Sequence, residues 1–129
     1  MKEETIKVLM VVPGKYPEVI GLENDLDSLQ KAVSVGAPEQ GLIEFVYLED
    51  NVSILCNEEG KIIGLEPNRR LGDDILCGVF YVVAENDDGE LVSLTEAQQD
   101  RYSEIFREPD IISKKDVDGT IFFEFIGEA

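Results

Sequence analysis

The residues best suited to bind a ligand lie in one short segment, residues 57–70, whose sequence is NEEGKIIGLEPNRR. It holds three of the 11 Lys and Arg residues of the chain, together with two amide side chains. Cationic side chains hold carboxylates and phosphates by charge-assisted hydrogen bonds, and an amide can fix the orientation of the bound group. The segment is therefore a candidate site for a small anionic ligand or for a carboxylate of a partner protein. Its candidate binding residues are Asn57, Lys61, Asn68, Arg69 and Arg70.

A structural interpretation of the same segment competes with the functional one. Asp73 and Asp74 follow Arg69 and Arg70 closely, and an ion-pair cluster at this point would hold the loop in place. In that case we expect Arg69 to be tied down by these acids or by backbone carbonyls. Arg70 is then expected to be the more exposed of the two arginines.

Composition excludes most catalytic and metal-binding chemistry. The chain has no histidine, which rules out Ser-His and Cys-His nucleophile pairs and any zinc site that uses imidazole. Its two cysteines cannot form a four-thiolate site. Gly14-Lys15 lacks the other residues of a phosphate-binding loop, and residues 86–90 (NDDGE) fit a hairpin turn better than a calcium loop. We therefore expect a protein that is not an enzyme and that uses no metal and no cofactor.

The chain is strongly acidic, with 28 Asp and Glu against 11 Lys and Arg, a formal net charge of −17 and a pI near 4.1. This charge argues against direct binding of a nucleic-acid backbone and against docking on an anionic membrane. It permits a partner protein that is basic. Mutual repulsion of the carboxylates is also expected to raise many of their pKa values.

The same charge leaves a second function open, in which the protein imitates DNA and blocks a defence or restriction protein. Glu96, Asp100 and Glu104 recur every four residues in a predicted helix, which spaces them about 6 Å apart along one face. This spacing is close to that of phosphates along a DNA strand. Like charges at this spacing weaken a helix slightly, so the pattern is a candidate for one that natural selection has kept for a function. The alternative is an ordinary solvated helix face on an acidic protein.

Three further features concern the compartment in which the protein acts. No apolar run approaches the roughly 18 residues needed to span a bilayer. The N-terminal residues MKEETIKVLMVVPGK have acids where a signal peptide has cations. Cys56 and Cys77 lie inside apolar runs, where buried, reduced thiols are usual. We therefore expect a cytoplasmic protein.

Hydrophobic patterning predicts one α+β domain over residues 1–129, with two helices on one largely antiparallel sheet. The predicted strands are residues 6–12, 18–22, 42–48, 52–56, 78–84 and 120–126. Because residues 6–12 and 78–84 are apolar on both faces, we expect both to be interior strands. Residues 18–22 are short and are expected at an edge. Residues 57–60 favour a tight turn, after which Ile62 and Ile63 are expected to form a brief extended piece.

Each predicted helix begins with a capping signal. Asn24 is expected to cap the first, which ends before residues 36–38 (GAP). Thr95 and Gln98 match a capping box that opens the second, which runs to about residue 106. The side chains expected to face the sheet are Leu22, Leu26, Leu29 and Val33 around the first helix and Tyr102, Ile105 and Phe106 in the second.

Residues 56–61 (CNEEGK), Gly64-Leu65, Asn68-Arg69 and residues 7–17 (KVLMVVPGKYP) carry a resemblance to a known family. The chain resembles a bacterial and bacteriophage domain family of unknown function, common in phages, plasmids and conjugative elements of gut bacteria. The similarity covers roughly residues 6–106, so residues 110–129 are expected to be a C-terminal strand extension. The chain departs from the family pattern at two points. The stretch from residue 33 to residue 41 is longer than in the family, and Glu66 separates the leucine from the proline that often follows it directly.

The resemblance implies a mobile-element setting and transfers no activity. Together with the composition, it leads us to expect an accessory protein that is a non-catalytic binding module. Its expected partner is a host protein or a small anionic ligand, and its candidate site is residues 57–70. An acidic DNA mimic is the alternative.

Overall fold

A computed structural model of the chain describes residues 4–128, over which ten strands and two helices form. In chain order they are β1 (Thr5–Val11), β2 (Glu18–Glu23), α1 (Leu26–Ala32), β3 (Ile43–Glu49), β4 (Val52–Asn57), β5 (Pro67–Leu71), β6 (Asp74–Cys77), β7 (Phe80–Glu85), β8 (Leu91–Val92), α2 (Glu96–Ile105), β9 (Asp110–Val117) and β10 (Thr120–Glu128). The strand pairs are antiparallel. The predicted α+β class is therefore confirmed.

The largest sheet has six strands in the order β2-β1-β7-β4-β3, and β8 pairs with the end of β7. β1 and β7 each have a neighbour on both sides, which confirms that these two apolar segments are interior strands. β2 lies at one edge, as predicted. β3 forms a hairpin with β4 and lies at the other edge.

One face of this sheet is partly covered by α1. Successive side chains of a strand project to opposite sides, so alternate residues of β1 and β7 reach this face. The buried cluster consists of Ile6, Val8, Leu55, Val79, Tyr81 and Val83 with Leu29 and Val33 from the helix and its C-cap. Because α1 spans only seven residues, it covers part of the face, and the corner formed by β3, β4 and β7 is an open groove.

The opposite face is covered by α2 and by the β5–β6 hairpin. Its buried cluster includes Leu9, Val11, Ile54, Phe80 and Val82 from the sheet, Leu76 from β6, and Tyr102 and Phe106 from α2 and its C-cap. The rings of Phe80 and Phe106 meet edge to face with centroids 5.2 Å apart. The interior strands β1, β4 and β7 are thus largely buried on both faces, which accounts for the apolar character of β1 and β7.

The cap of α2 is confirmed, whereas that of α1 is displaced by one residue. Thr95 Oγ1 accepts from the Gln98 N–H at 3.1 Å, and Gln98 Oε1 accepts from the Thr95 N–H at 2.8 Å, which completes the capping box. In α1 the capping side chain is Asp25, whose Oδ1 accepts from the Ser28 N–H at 2.8 Å. Asn24 is instead buried and donates to the Leu91 carbonyl at 3.3 Å.

Two residues expected to face the sheet do not. Leu26 is 61% exposed and Ile105 is 56% exposed. Leu26 lies in the first turn of a seven-residue helix, beyond the part that packs on the sheet, and Ile105 lies at the last residue of α2. The remaining predicted contacts of Leu29, Val33, Tyr102 and Phe106 are confirmed by burial.

The prediction of a single sheet is wrong. β5–β6 and β9–β10 are separate two-stranded sheets. The first pair lies across a face of the main sheet because Leu76 packs into the core there. The second pair occupies residues 110–128, the expected C-terminal extension, and is a hairpin where the sequence predicted one strand. Residues 110–117 carry mostly exposed polar side chains, so their sequence lacks the regular alternation of apolar and polar residues that predicts a strand.

Candidate functional site

Residues 57–70 run from the last residue of β4, through a series of turns, into β5. The expected extended piece at Ile62 and Ile63 is wrong, because the chain turns continuously here. The Ile63 N–H donates to the Glu59 carbonyl at 3.0 Å, and the Leu65 N–H donates to the Gly60 carbonyl at 3.0 Å. Ile62 lies at the outside of these turns and is 80% exposed.

Arg69 is buried, with only 2% of its surface exposed. Its guanidinium donates through Nη2 to the Lys15 carbonyl at 2.6 Å and through Nε to the Phe106 carbonyl at 3.1 Å. Burial lowers the pKa of Arg69, and the negative charges of Asp110 and Glu108 oppose that shift. The side chain therefore ties the segment after β1 and the end of α2 to β5.

Asn68 is fully buried beside it. Its Nδ2 donates to the Val11 carbonyl and to the Gly78 carbonyl, both at 2.8 Å. Its Oδ1 accepts from Arg69 Nη1 at 2.8 Å. Both ends of the amide are thus satisfied inside the protein, and Asn68 joins the end of β1 to the turn before β7.

Asn57 is also buried and bridges two loops. Its Nδ2 donates to the Val33 carbonyl at 3.3 Å, and its Oδ1 accepts from the Glu59 N–H at 2.9 Å. The second bond closes the turn that follows β4. The first bond attaches that turn to the C-cap of α1.

Lys61 and Arg70 are the exposed cations of the segment, and each contacts another part of the chain. Lys61 forms an ion pair with Asp74. The Arg70 guanidinium lies over the ring of Phe125 in β10, 3.9 Å from its centroid. The Arg70 N–H donates to Asp110 Oδ2 at 2.7 Å, so this residue fastens the C-terminal hairpin to β5.

The five candidate residues therefore do not converge on one open site. Asn57, Asn68 and Arg69 are buried and hydrogen-bonded within the chain, and the two exposed cations point to different neighbours. The expected division between a buried Arg69 and an exposed Arg70 is confirmed. Of the partners expected for Arg69, the backbone carbonyls are confirmed, whereas Asp74 pairs with Lys61 instead.

The acidic residues of α2 are placed as the sequence predicts. Glu96, Asp100 and Glu104 are all exposed on the helix. The ion pairs found within residues 4–128 do not involve them. They form an acidic stripe on the outer side of α2 that has no ion-pair partner in the part of the chain that the structure describes.

The expectation of raised carboxyl pKa values is not met at Asp27 and Asp74. The hydrogen bond from Lys31 lowers the pKa of Asp27. At Asp74, burial acts to raise the pKa, but the hydrogen bonds from Lys61 and from the Ile75 N–H together lower it. Local pairing outweighs long-range repulsion at these positions.

The two thiols are buried and free. Burial raises the pKa of Cys56 to about 12 and that of Cys77 to about 11, so both are protonated near neutral pH. Within residues 4–128, no group of three or more His, Cys, Asp or Glu residues is arranged to hold a metal ion.

Across the same residues, no helix is long and apolar enough to cross a membrane.

The sequence did not reveal a groove at the open corner of the α1 face, which we call the edge groove. Its volume is about 350 Å³, and it is lined chiefly by Phe45, Tyr47, Ser53, Val83, Glu85 and Leu91. Register places Tyr47 beside Ser53 and Ser53 beside Val83, so the groove crosses three neighbouring strands. Phe45 and Tyr47, on the edge strand β3, are 47% and 69% exposed.

The rim of the edge groove is acidic. Glu85 lines it, and Asp87 and Asp88 belong to the turn that contributes Gly89. The Tyr47 hydroxyl donates to Asp50 Oδ1 at 3.0 Å, and this hydrogen bond raises the pKa of Tyr47. The Tyr47 phenol is therefore held in place at the surface by the Asp50 carboxylate. The groove combines exposed aromatic rings with negative charge.

A signal for this groove was present in β3, whose sequence is IEFVYLE. Val46 and Leu48 pack on the α2 face, while Phe45 and Tyr47 project to the α1 face. Apolar residues on both faces normally indicate an interior strand. Here the strand is at an edge and α1 does not reach it, so two aromatic side chains are exposed to solvent.

These features define a class of α+β protein with a central antiparallel sheet, a helix on each face and an acid-rimmed groove at one edge. The chain belongs to the family described as domain of unknown function (DUF3846), whose model matches residues 6–107. No curated protein and no solved structure matches the chain significantly. The family match ends before β9, so the C-terminal hairpin lies outside it.

Proposed function

We propose that the protein is a non-catalytic interaction module that binds a basic partner protein at the edge groove. The observation that carries the proposal is the pair of exposed aromatic side chains, Phe45 and Tyr47, on an edge strand within an acidic rim. Tyrosine and phenylalanine are enriched at protein interfaces because one ring removes a large apolar area from water. Singly exposed apolar residues are ordinary, but two aromatic rings that line one groove are a candidate anchor.

Charge selects the kind of partner. With a net charge of −17, the protein attracts a basic surface and repels an acidic one, which raises the rate of encounter with basic proteins. Glu85 at the groove directs that attraction to the aromatic residues. The hydrogen bond from Tyr47 to Asp50 holds the ring in place before binding, which reduces the entropy lost on association.

The partner class follows from the setting that the sequence resemblance implies. An accessory protein of a phage or plasmid acts on proteins of its host, so we propose a basic host protein as the partner. A small anionic ligand at residues 57–70 is less well supported, because Arg69 and Lys61 already have partners within the chain.

Affinity capture from a bacterial lysate tests the groove. The bait proteins are the wild type, the double variant Phe45→Ser/Tyr47→Ser, and the control Phe122→Ser, which removes a 55% exposed ring from β10. We expect the wild type and the control to capture the same basic protein. The double variant should capture it at least about tenfold less, because loss of an anchor ring costs an interface about 2 kcal/mol or more. Equal capture by the double variant would show that the groove is not the site.

A second candidate function is the DNA mimic, favoured by the exposed acidic stripe of α2, for which residues 4–128 supply no ion-pair partner. A decoy of this kind needs negative charges that its target can reach, and Glu96, Asp100 and Glu104 meet that condition. The stripe lies on a different element from the edge groove, so the two functions can be separated by mutation.

The test of mimicry compares two triple variants with the same change in charge. One neutralises the stripe (Glu96→Gln, Asp100→Asn, Glu104→Gln), and the other neutralises three exposed acids elsewhere (Glu18→Gln, Glu39→Gln, Asp73→Asn). Mimicry predicts a captured DNA-binding protein that duplex DNA displaces and that only the first variant fails to bind. If both variants bind alike, the stripe is a solvated helix face.

A further inference from the structure

We infer that the partner contributes an extended, basic segment that adds to the sheet as a new strand beside β3. The inference rests on the proposed function of the edge groove and specifies how the partner binds there. Within residues 4–128, β3 pairs with β4 alone, so its other side has no strand beside it. A strand edge of this kind presents a row of backbone groups that a peptide can pair with.

The register identifies which backbone groups are available. The Glu58 N–H donates to the Leu42 carbonyl at 3.0 Å, so the backbone N–H and C=O of Leu42 point toward β4. The N–H and C=O of alternate residues in an antiparallel strand point to the same side. The backbone groups of Glu44 and Val46 therefore also point toward β4. Those of the alternate residues point away from β4, toward solvent: Ile43, Phe45 and Tyr47. Pairing is regular over residues 43–47, before the register shifts between Tyr47 and Glu49.

The same residues that offer outward backbone groups carry the groove side chains. A segment paired with Phe45 and Tyr47 would project every second side chain over the edge groove, onto their rings. The intervening side chains would lie on the other face, beside the exposed Glu44. The segment that fits is therefore one in which apolar residues alternate with lysine or arginine.

Charge disfavours a second copy of this chain as the added strand. β3 contains Glu44 and Glu49 and no Lys or Arg, and each copy has a net charge of −17. Pairing β3 with itself would bring these like charges together, which is destabilising across a strand pair. A basic segment from another protein removes the repulsion, and its lysine or arginine side chains gain attraction from Glu44, beside which they would lie.

A displayed library of random peptides provides the probe, followed by synthesis of the most enriched sequence. We expect enrichment of alternating apolar and basic residues. The synthetic peptide should bind the wild type and Phe122→Ser, and should bind Tyr47→Ser at least about tenfold more weakly. Backbone N-methylation supplies the decisive measurement. Methyl groups on one alternate set of residues should abolish binding, because those N–H groups pair with β3, whereas methyl groups on the other set should leave it intact.

The outcomes separate this inference from the proposed function. If methylation of the two sets has the same effect, or if the enriched peptides bind Tyr47→Ser as tightly as the wild type, strand addition is wrong. If no peptide is enriched although a folded protein is captured through Phe45 and Tyr47, strand addition is again wrong and the groove remains the site. If neither a peptide nor a captured protein depends on Phe45 and Tyr47, both proposals fail.

Discussion

Asn68 and Arg69 are consecutive in the chain, yet their side chains lie together, with Arg69 Nη1 donating to Asn68 Oδ1 at 2.8 Å. Consecutive side chains of a regular strand project to opposite faces. The β5–β6 register shifts between Pro67 and Arg69, and this irregularity lets both polar side chains be buried. The pair thereby supplies donors to carbonyls of three segments outside β5: Val11 and Lys15, Gly78, and Phe106.

Replacement of Arg69 by alanine should lower the free energy of unfolding by about 2–4 kcal/mol, because buried carbonyls then lose their donors. Arg70→Ala is the matched control. It removes an exposed cation from the face of Phe125 and should cost about 0.5–1 kcal/mol. Urea unfolding of both variants measures the difference. Equal losses would mean that burial of Arg69 contributes nothing beyond a surface contact.

Gly78→Ala should destabilise the protein by about 2–3 kcal/mol, because strain and a steric clash combine. Gly78 has φ +80°, and a Cβ there would lie 2.7 Å from Leu65 Cδ1. Gly72→Ala separates the two effects, since Gly72 has φ +59° but no atom within 4 Å of a Cβ. We expect a loss of about 1 kcal/mol at Gly72, from the backbone conformation alone. Thermal melts that rank Gly72→Ala as the more damaging change would contradict this explanation.

The free energy of unfolding should fall in alkaline solution, because the two thiols ionise more readily in the unfolded chain than when they are buried. The pKa of Cys56 is raised to about 12 in the folded protein, whereas an unfolded thiol has a pKa near 8.5. A raised folded-state pKa stabilises the protein fully below the unfolded value, and that contribution is lost as pH rises toward 12. Melting temperatures should therefore decline above about pH 8.5. The decline should be shallower in Cys56→Ala/Cys77→Ala, and an unchanged slope would assign it to other groups.

Adjacent residues of β3 should respond oppositely to substitution. Tyr47→Ser alters a largely exposed side chain and should change the free energy of unfolding by no more than about 0.5 kcal/mol. Val46→Ser alters a side chain that packs on the core and should cost about 1–2 kcal/mol. Chemical denaturation of the two variants gives both values. A large loss for Tyr47→Ser would show that the ring supports the fold and would weaken its assignment to binding.

Local signals predicted much of the main sheet and the start of α2. The apolar segments that became β1 and β7 needed burial on both faces, which only interior positions provide. Thr95 and Gln98 fixed the start of α2 because a capping box is complete within four residues. The residue types around Arg69 and Arg70 also predicted a buried Arg69 and an exposed Arg70, and they left open whether Asp73, Asp74 or backbone carbonyls accept from Arg69.

The remaining errors have a common physical cause. Backbone carbonyls have no signature in a sequence, so the acceptors of Arg69 at Lys15 and Phe106 could not be read from residue types. The edge groove depends on the length of α1 and on the strand order, both of which are set by tertiary packing. The separate β9–β10 sheet depends on contacts such as Arg70 with Phe125, which join residues distant in sequence.

The buried guanidinium of Arg69 has a consequence for the order of folding. Its carbonyl acceptors at Lys15 and Phe106 lie 54 and 37 residues away in the chain. Closing such long loops costs entropy before any contact forms, and a charged group is stable in that position only when all its acceptors are in place. We therefore place this set of hydrogen bonds after the rate-limiting step. Arg69→Ala should mainly accelerate unfolding and leave the refolding rate almost unchanged.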